Sequence, residues 1–291
     1  MGYQSGFKAD LFEGQKIFIP GGGGGLGRCI AHELASLGAS VVLAGRTREK
    51  LERVLDEITS DGGEVLGIYT GELRDEQVVT DLIAEILGNH GPLDGLVNAA
   101  GGQFPSKLED LSLNGWNAVI ENNLTSYFLT SREMYRQCFR DHGGNIVHIG
   151  ADYHLGMAGM GHNGAARAGL ANLTYTSAVE WAPAAVRVNC VIPGFIATTG
   201  LERYPESAWD SLKRVVKGAP ISRHGTAAEV SAAVVFMMSP MAAYITGTEL
   251  LVDGGMRLGS SSFLYPREEA SREIRPFEGF HRDEKPALGS D

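Results

Sequence analysis

One segment constrains the fold of this chain more than any other. The run Lys16 to Pro20 (KIFIP) opens directly into Gly21-Gly22-Gly23-Gly24-Gly25-Leu26-Gly27, and that turn leads into a stretch with helical character. A strand that turns through glycine into a helix exposes the helix's free N–H groups and the positive end of its dipole, and glycine lets the backbone approach a ligand closely. This arrangement seats a dinucleotide pyrophosphate. The spacing Gly21-x-x-x-Gly25-x-Gly27 differs from the G-x-G-x-x-G of long dehydrogenases.

The pattern then repeats as short apolar runs separated by helical periods, the signature of βαβ units around a parallel sheet. Seven strands are expected: Lys16 to Pro20, Ser40 to Ala44, Val65 to Tyr69, Leu93 to Asn98, Asn145 to Gly150, Val186 to Val191 and Glu249 to Asp253. Between them, Leu51, Val54, Leu55 and Ile58 fall on one helix face, and Val78, Val79, Leu82, Ile83 and Ile86 on another. A single domain is expected over residues 1–256. Residues 257–291, polar and proline-interrupted, read as a tail that is disordered or draped over a neighbouring surface.

Charge and composition exclude several functions. The net charge is −10 and no basic stripe is visible, which argues against a nucleic-acid partner. The three cysteines, Cys29, Cys138 and Cys190, are too far apart to suggest a disulfide framework or a metal site. No apolar run is long enough for a membrane span or a signal sequence, so a cytoplasmic protein acting on a small molecule is expected. At the end of the second strand, where an acidic residue would bind the ribose hydroxyls of NAD, the chain reads Ala44-Gly45-Arg46-Thr47. Arg46 suits a 2′-phosphate and favours NADP(H), with Arg28 as a further candidate contact.

Gly21-x-x-x-Gly25-Leu26-Gly27, Asn98-Ala99-Ala100-Gly101, Asn123-Leu124-Thr125, Pro193-Gly194 and Asp253-Gly254-Gly255 together resemble the short-chain dehydrogenase/reductase family over roughly residues 10–256. The resemblance implies an α/β, doubly wound, seven-stranded parallel sheet (Rossmann fold) and a homotetramer. It also implies that Pro193, Gly194 and Ile196 hold the nicotinamide carboxamide and that Thr198 lies near the phosphates. Asn98, Ala99, Ala100 and Gly101 would flank the nicotinamide ribose, and Glu72 and Leu73 the adenine.

The chain departs from that family at its reaction centre. Members usually carry a Ser and a Tyr-x-x-x-Lys, but no tyrosine here has a lysine four residues on, and no lysine occurs between Leu108 and Leu212. Arg167 occupies the lysine slot, Asn163 the tyrosine slot, and Gly150 or Ala151 the serine slot; Asn123 alone survives. The segments NAAGGQF (from Asn98), GWNAV (from Gly115), HNGAARAG (from His162) and EWA (from Glu180) resemble peroxisomal trans-2-enoyl-CoA reductases and their bacterial relatives. Related dienoyl-CoA reductases place a tyrosine just after the fifth strand, near Tyr153, and some bacterial relatives oxidise terpenoid alcohols or aldehydes.

Reduction of an α,β-unsaturated thioester needs hydride at Cβ, a proton at Cα and donors for the transient enolate oxygen, but no tuned acid at a carbonyl. The expected activity is therefore NADPH-dependent reduction of an activated carbon-carbon double bond, with an acyl-CoA as the candidate substrate. A carbonyl reductase or alcohol dehydrogenase with a non-standard acid is the first alternative, and an NADP-binding protein without turnover the second. Tyr153 is the first candidate proton donor and His162 the next. Arg167 is expected to hold the ribose hydroxyls, and Asn123 a helix kink and a bound water. His148 and His154 read as structural. The segment Thr198 to Pro220, with Leu201, Tyr204, Trp209 and Leu212, is expected to cover an apolar substrate chain.

Overall fold

The computed structural model describes residues 7–203, 209–217, 219–258 and 274–279. Its strands are β1 (Lys16–Pro20), β2 (Ser40–Gly45), β3 (Glu64–Thr70), β4 (Gly95–Asn98), β5 (Gly144–Ile149), β6 (Val186–Pro193) and β7 (Glu249–Val252). They form one parallel sheet in the order β3-β2-β1-β4-β5-β6-β7. The doubly wound seven-stranded architecture is therefore as expected. Only the fourth strand is markedly shorter than its apolar run. Leu93 is buried in the core ahead of the strand, and the Asp94 carboxylate accepts from the Lys16 amide at 2.7 Å.

Helices α1 (Gly25–Ser36), α2 (Arg48–Ser60) and α3 (Glu76–His90) connect the first four strands. Next come α4 (Leu113–Ile120), α5 (Ser126–Met134) and the single turn α6 (Arg140–His142), then α7 (Gly161–Trp181), α8 (Trp209–Lys217) and α9 (Ala227–Met238). Alternation along the strands sends side chains to two cores. Ile17, Ile19, Val41 and Leu43 pack on one face with Ile30 and Leu34 of α1, Leu51, Val54 and Ile58 of α2, and Val234 of α9. Phe18, Val42, Leu96 and Ile146 pack on the other with Val79, Leu82, Ile83 and Ile86 of α3. Both expected helix stripes thus face the sheet, while Leu55 and Val78 sit at their half-buried margins.

Two consequences follow for the site. The strand order reverses between β1 and β4, which opens a crevice at the carboxyl ends of those strands. Between α4 and α5 the helix widens into a π turn over Glu121–Thr125, where Asn123 donates from Nδ2 to the Val119 and Gly102 carbonyls, both at 2.8 Å. The helix irregularity expected at Asn123 is this turn, a device common at functional sites.

Of the C-terminal tail, residues 259–273 and 280–291 lie outside the described residues, as does Tyr204 of the covering segment. Residues 274–279 lie against the start of α9: Arg223 donates to the Ile274 carbonyl at 2.9 Å and Thr226 to that of Phe277 at 2.6 Å. Among the described residues no helix is long and apolar enough to cross a membrane.

Candidate active site

A cleft of about 910 Å³ lies across the switch point. One end is built by the glycine turn. A Cβ on Gly21 would stand 2.4 Å from the Ala100 nitrogen, and one on Gly27 would stand 2.3 Å from the Gly21 carbonyl oxygen. The turn, the start of α1 and the segment after β4 therefore meet backbone to backbone. At Gly24 and Gly25 a Cβ would find nothing within 4 Å, so the first turn of α1 faces open space, and Gly25 takes a positive φ of 51°. This is a cradle of the shape a pyrophosphate needs.

Gly21, Gly25, Leu26, Arg46, Glu72, Leu73, Ala99, Ala100, Gly101, Arg167, Pro193, Gly194, Ile196 and Thr198 all line the cleft. Two of the residues expected beside the cofactor do not. Gly27 is behind the turn, where it permits the close approach. Asn98 is buried beneath the floor: it donates to Ser131 Oγ at 3.0 Å and lies 3.2 Å from His148 Nδ1, while Thr130 donates to its Oδ1 at 2.7 Å. It acts on the cleft through the segment that follows it.

Arg28 lines the same end of the cleft as Arg46, Thr47, Lys50 and Arg53. Its guanidinium grips Glu57 through two bonds of 2.8 Å, and His32 approaches the same carboxylate at 3.1 Å. Burial raises the Glu57 pKa, but the Arg28 and His32 bonds outweigh it and hold the group below the ordinary carboxylate range. Arg28 thus borders the cleft with its guanidinium engaged by Glu57.

The other end of the cleft centres on Arg167. Its Nη1 donates to the Ile149 carbonyl at 2.9 Å and its Nη2 to Asn123 Oδ1 at 2.7 Å; its Nε–H is buried without a partner. Among the described residues no carboxylate forms an ion pair with it, so a buried guanidinium faces the cleft with its charge uncompensated. Tyr127, one helical turn after Asn123, puts its ring 5.5 Å from the guanidinium carbon and donates to the same Ile149 carbonyl at 3.1 Å. Burial pushes its phenol above the usual range. A Cβ on Gly101 would lie 3.0 Å from both Arg167 Nη2 and Asn123 Oδ1, so this cluster closes directly on the cleft wall.

Two proposed acids are elsewhere. Tyr153 stacks on His154 with ring centres 4.4 Å apart and donates to Glu249 Oε1 at 3.2 Å, on the β7 side of the loop and off the cleft. His162 is fully buried, edge-on to Phe104 at 4.8 Å, and also off the cleft. Asn163, in the tyrosine slot, donates to Met157 Sδ at 3.6 Å. Gly150 and Ala151 both line the cleft, and a Cβ on Gly150 would meet the Ile192 side-chain end at 2.4 Å, so a serine there would need Ile192 to shift. Tyr127 and Asp152 are among the polar cleft residues that sequence reasoning missed. Tyr127 was marked by its i, i+4 spacing from Asn123, and Asp152 by its place just beyond β5.

A family model described as enoyl-(acyl carrier protein) reductase matches residues 22–257. The chain belongs to the short-chain dehydrogenase/reductase family. It is 35% identical over 257 residues to a peroxisomal 2,4-dienoyl-CoA reductase of Danio rerio, covering 88% of this chain and 86% of that protein. It is 36% identical over 255 residues to a probable 2,4-dienoyl-CoA reductase of Bacillus subtilis, covering 86% of this chain and 100% of the other. Among solved structures, the citronellol catabolism dehydrogenase of Pseudomonas aeruginosa PAO1 is similar with a TM-score of 0.79 and 45% identity, over 87% of this chain and 99% of that one. As a short-chain dehydrogenase/reductase the chain is an oxidoreductase.

Proposed function

We propose that this short-chain dehydrogenase/reductase is an NADPH-dependent reductase of a carbon-carbon double bond conjugated to a thioester, with an acyl-CoA as substrate. The observation that carries the proposal is the buried, uncompensated Arg167 guanidinium fixed by Asn123 and Ile149 at the closed end of the cleft. A preorganised positive charge at a water-poor site stabilises negative charge that develops during reaction, here on the thioester oxygen as the conjugated system is reduced. Reduction of a ketone would instead require an acid matched to an alkoxide. The activities for which the Danio rerio and Bacillus subtilis relatives are named support the same choice.

Bound NADPH would supply the hydride. Gly21, Gly25 and Leu26 would seat its pyrophosphate on the α1 N-terminus, and Thr198 would lie near the phosphates. Arg46 would take the 2′-phosphate, with Glu72 and Leu73 beside the adenine. Ala99, Ala100 and Gly101 would flank the nicotinamide ribose, and Pro193, Gly194 and Ile196 would hold the carboxamide. The free Nε–H of Arg167 is the donor available to a ribose hydroxyl. Leu155, Met157, Met160, Leu201 and Met256 give the cleft an apolar side suited to an acyl chain. A cytoplasmic homotetramer belongs to the same proposal and is checked by sedimentation of the purified protein.

A second reading, oxidation of a terpenoid-like alcohol, is favoured by the likeness to the citronellol catabolism dehydrogenase. The tyrosine beside Arg167 does not serve it as a base, because the Tyr127 hydroxyl is committed to a backbone carbonyl and its ionisation is opposed by burial. The two are separated by offering NADPH with 2-enoyl- and 2,4-dienoyl-CoA thioesters, and NADP with citronellol. Turnover of the alcohol but not the thioesters replaces the first reading with the second. Tight NADPH binding with neither turnover makes the chain a cofactor-binding protein.

A further inference from the structure

Saturating a carbon-carbon double bond consumes a proton as well as a hydride, and the cleft holds no tyrosine–lysine couple to provide it. Beside the Arg167 cluster, the loop after β5 carries Asp152, which lines the cleft, and two residues on it carries His154. The His154 ring meets Asp152 Oδ1 through Nδ1 at 2.9 Å, and its Nε2 lies 3.5 Å from Glu249 Oε2. Glu249, the first residue of β7, is nearly buried, and its Oε1 accepts from both the Tyr153 and Tyr175 hydroxyls. Oε2 makes no hydrogen bond and faces the imidazole at ion-pair distance. The His154 side chain is 23% exposed and so exchanges protons with water, whereas Asp152 opens on the cleft.

We propose that Asp152 and His154 form the proton-delivery couple of this enzyme, with Glu249 as the positioning residue that aims His154 at Asp152. The inference rests on the thioester-reductase reading. In the step it serves, both electrons of the hydride go into the new C–H bond at the electron-poor carbon, and the π electrons of the double bond move toward the thioester oxygen beside Arg167. As that enolate collapses, the Asp152 carboxyl O–H breaks and its proton forms the C–H bond at the carbon next to the carbonyl. Asp152 then takes the Nδ1 proton of the His154 imidazolium, which is left as the neutral Nε2–H form, and Nδ1 regains a proton from water. The sum is one hydride from NADPH and one proton from solvent.

A loop staple would use some of the same contacts, since Asp152 also accepts from the His154 backbone amide at 3.2 Å. The test therefore reads proton transfer itself. Full-length Asp152→Asn and His154→Gln are assayed with NADPH and a dienoyl-CoA, beside Glu249→Gln; melting curves and NADPH titration verify folding. Expected is a fall in kcat of about 100-fold for the first two, in keeping with loss of a general acid. KM and NADPH affinity stay close to wild type, and the deuterium solvent isotope effect on kcat rises. His154→Ala is partly rescued by added imidazole. Wild-type kcat and isotope effect in both variants overturn the couple while leaving thioester reduction intact. A loss of NADPH binding without imidazole rescue assigns the cluster to loop stapling and also overturns it. A wild-type protein that turns over no unsaturated thioester overturns the parent reading, and the couple falls with it.

Discussion

Arg167 Nη2 and Asn123 Oδ1 meet at 2.7 Å, joining α7 to the π turn between α4 and α5. In this pair the guanidinium is the donor and the carboxamide oxygen the acceptor. The carboxamide is itself pinned, because its Nδ2 donates to Val119 and Gly102 across the π turn. A cation held this way keeps its position without a carboxylate that would cancel its charge.

Removing that cation should cost turnover more than binding. Arg167→Ala is expected to lower kcat by about 100-fold or more, the scale of losing one oxyanion donor. Arg167→Lys keeps the charge but loses the fork that spans Ile149 and Asn123, and should fall between. Steady-state kinetics at saturating NADPH checks both.

Cofactor choice should depend on Arg46. A charge-assisted contact contributes about 1.5–3 kcal/mol, so Arg46→Ala should weaken NADPH by roughly 10- to 150-fold and leave NADH unchanged. Fluorescence titration with both cofactors decides it. Arg28→Ala should act differently, loosening α1 from α2 by releasing Glu57, and should be read as a lower melting temperature.

Two glycines should respond oppositely to alanine. At Gly27 the added carbon would meet the Gly21 backbone at 2.3 Å, which neither segment is able to avoid, so NADPH binding and stability should both fall. Gly88, within α3, has nothing within 4 Å of the same carbon, and Gly88→Ala should stabilise the protein by about 0.5–1 kcal/mol through helix propensity. Chemical denaturation of both variants measures the difference.

Stability should fall between pH 4.5 and about 8 because of Glu33. Burial lifts its carboxyl from an ordinary 4.5 to about 8, so its contribution is full below pH 4.5 and is lost as pH rises through about 8. His148 acts with the opposite sign. Burial first, and then the charge of Arg167, push its pKa from 6.5 to about 3, so its contribution is full above pH 6.5 and is lost as pH falls toward 3. Between pH 6.5 and 8 only the Glu33 effect of these two operates. The melting temperature should decline across that window in wild type and decline less in Glu33→Gln; an equal decline assigns the slope to other groups.

The sheet was legible because each strand carries its own signal: dense apolar runs such as Val41 to Leu43 are buried on both faces and owe little to distant residues. The positions lining the cofactor end of the cleft were legible for a related reason, since backbone and glycine make most of it and their spacing is local. What was not legible depends on partners remote in sequence. Arg28 is claimed by Glu57, and Tyr153 by Glu249 at the far edge of the sheet. The loop that carries Tyr153 also turns through Gly156 and Gly159, both at positive φ, so side-chain direction along it follows no period. His154 looked structural for want of a visible partner, yet Asp152 lies two residues before it.

The central claim is that the Arg167 cleft reduces a conjugated carbon-carbon bond and leaves the thioester intact. Mass analysis of the product formed from NADPH and a 2,4-dienoyl-CoA tests it most directly. The account predicts a CoA thioester two hydrogens heavier, one atom traceable to NADPH and one to solvent, with no aldehyde or alcohol formed. Unchanged thioester alongside active oxidation of citronellol by NADP would contradict it.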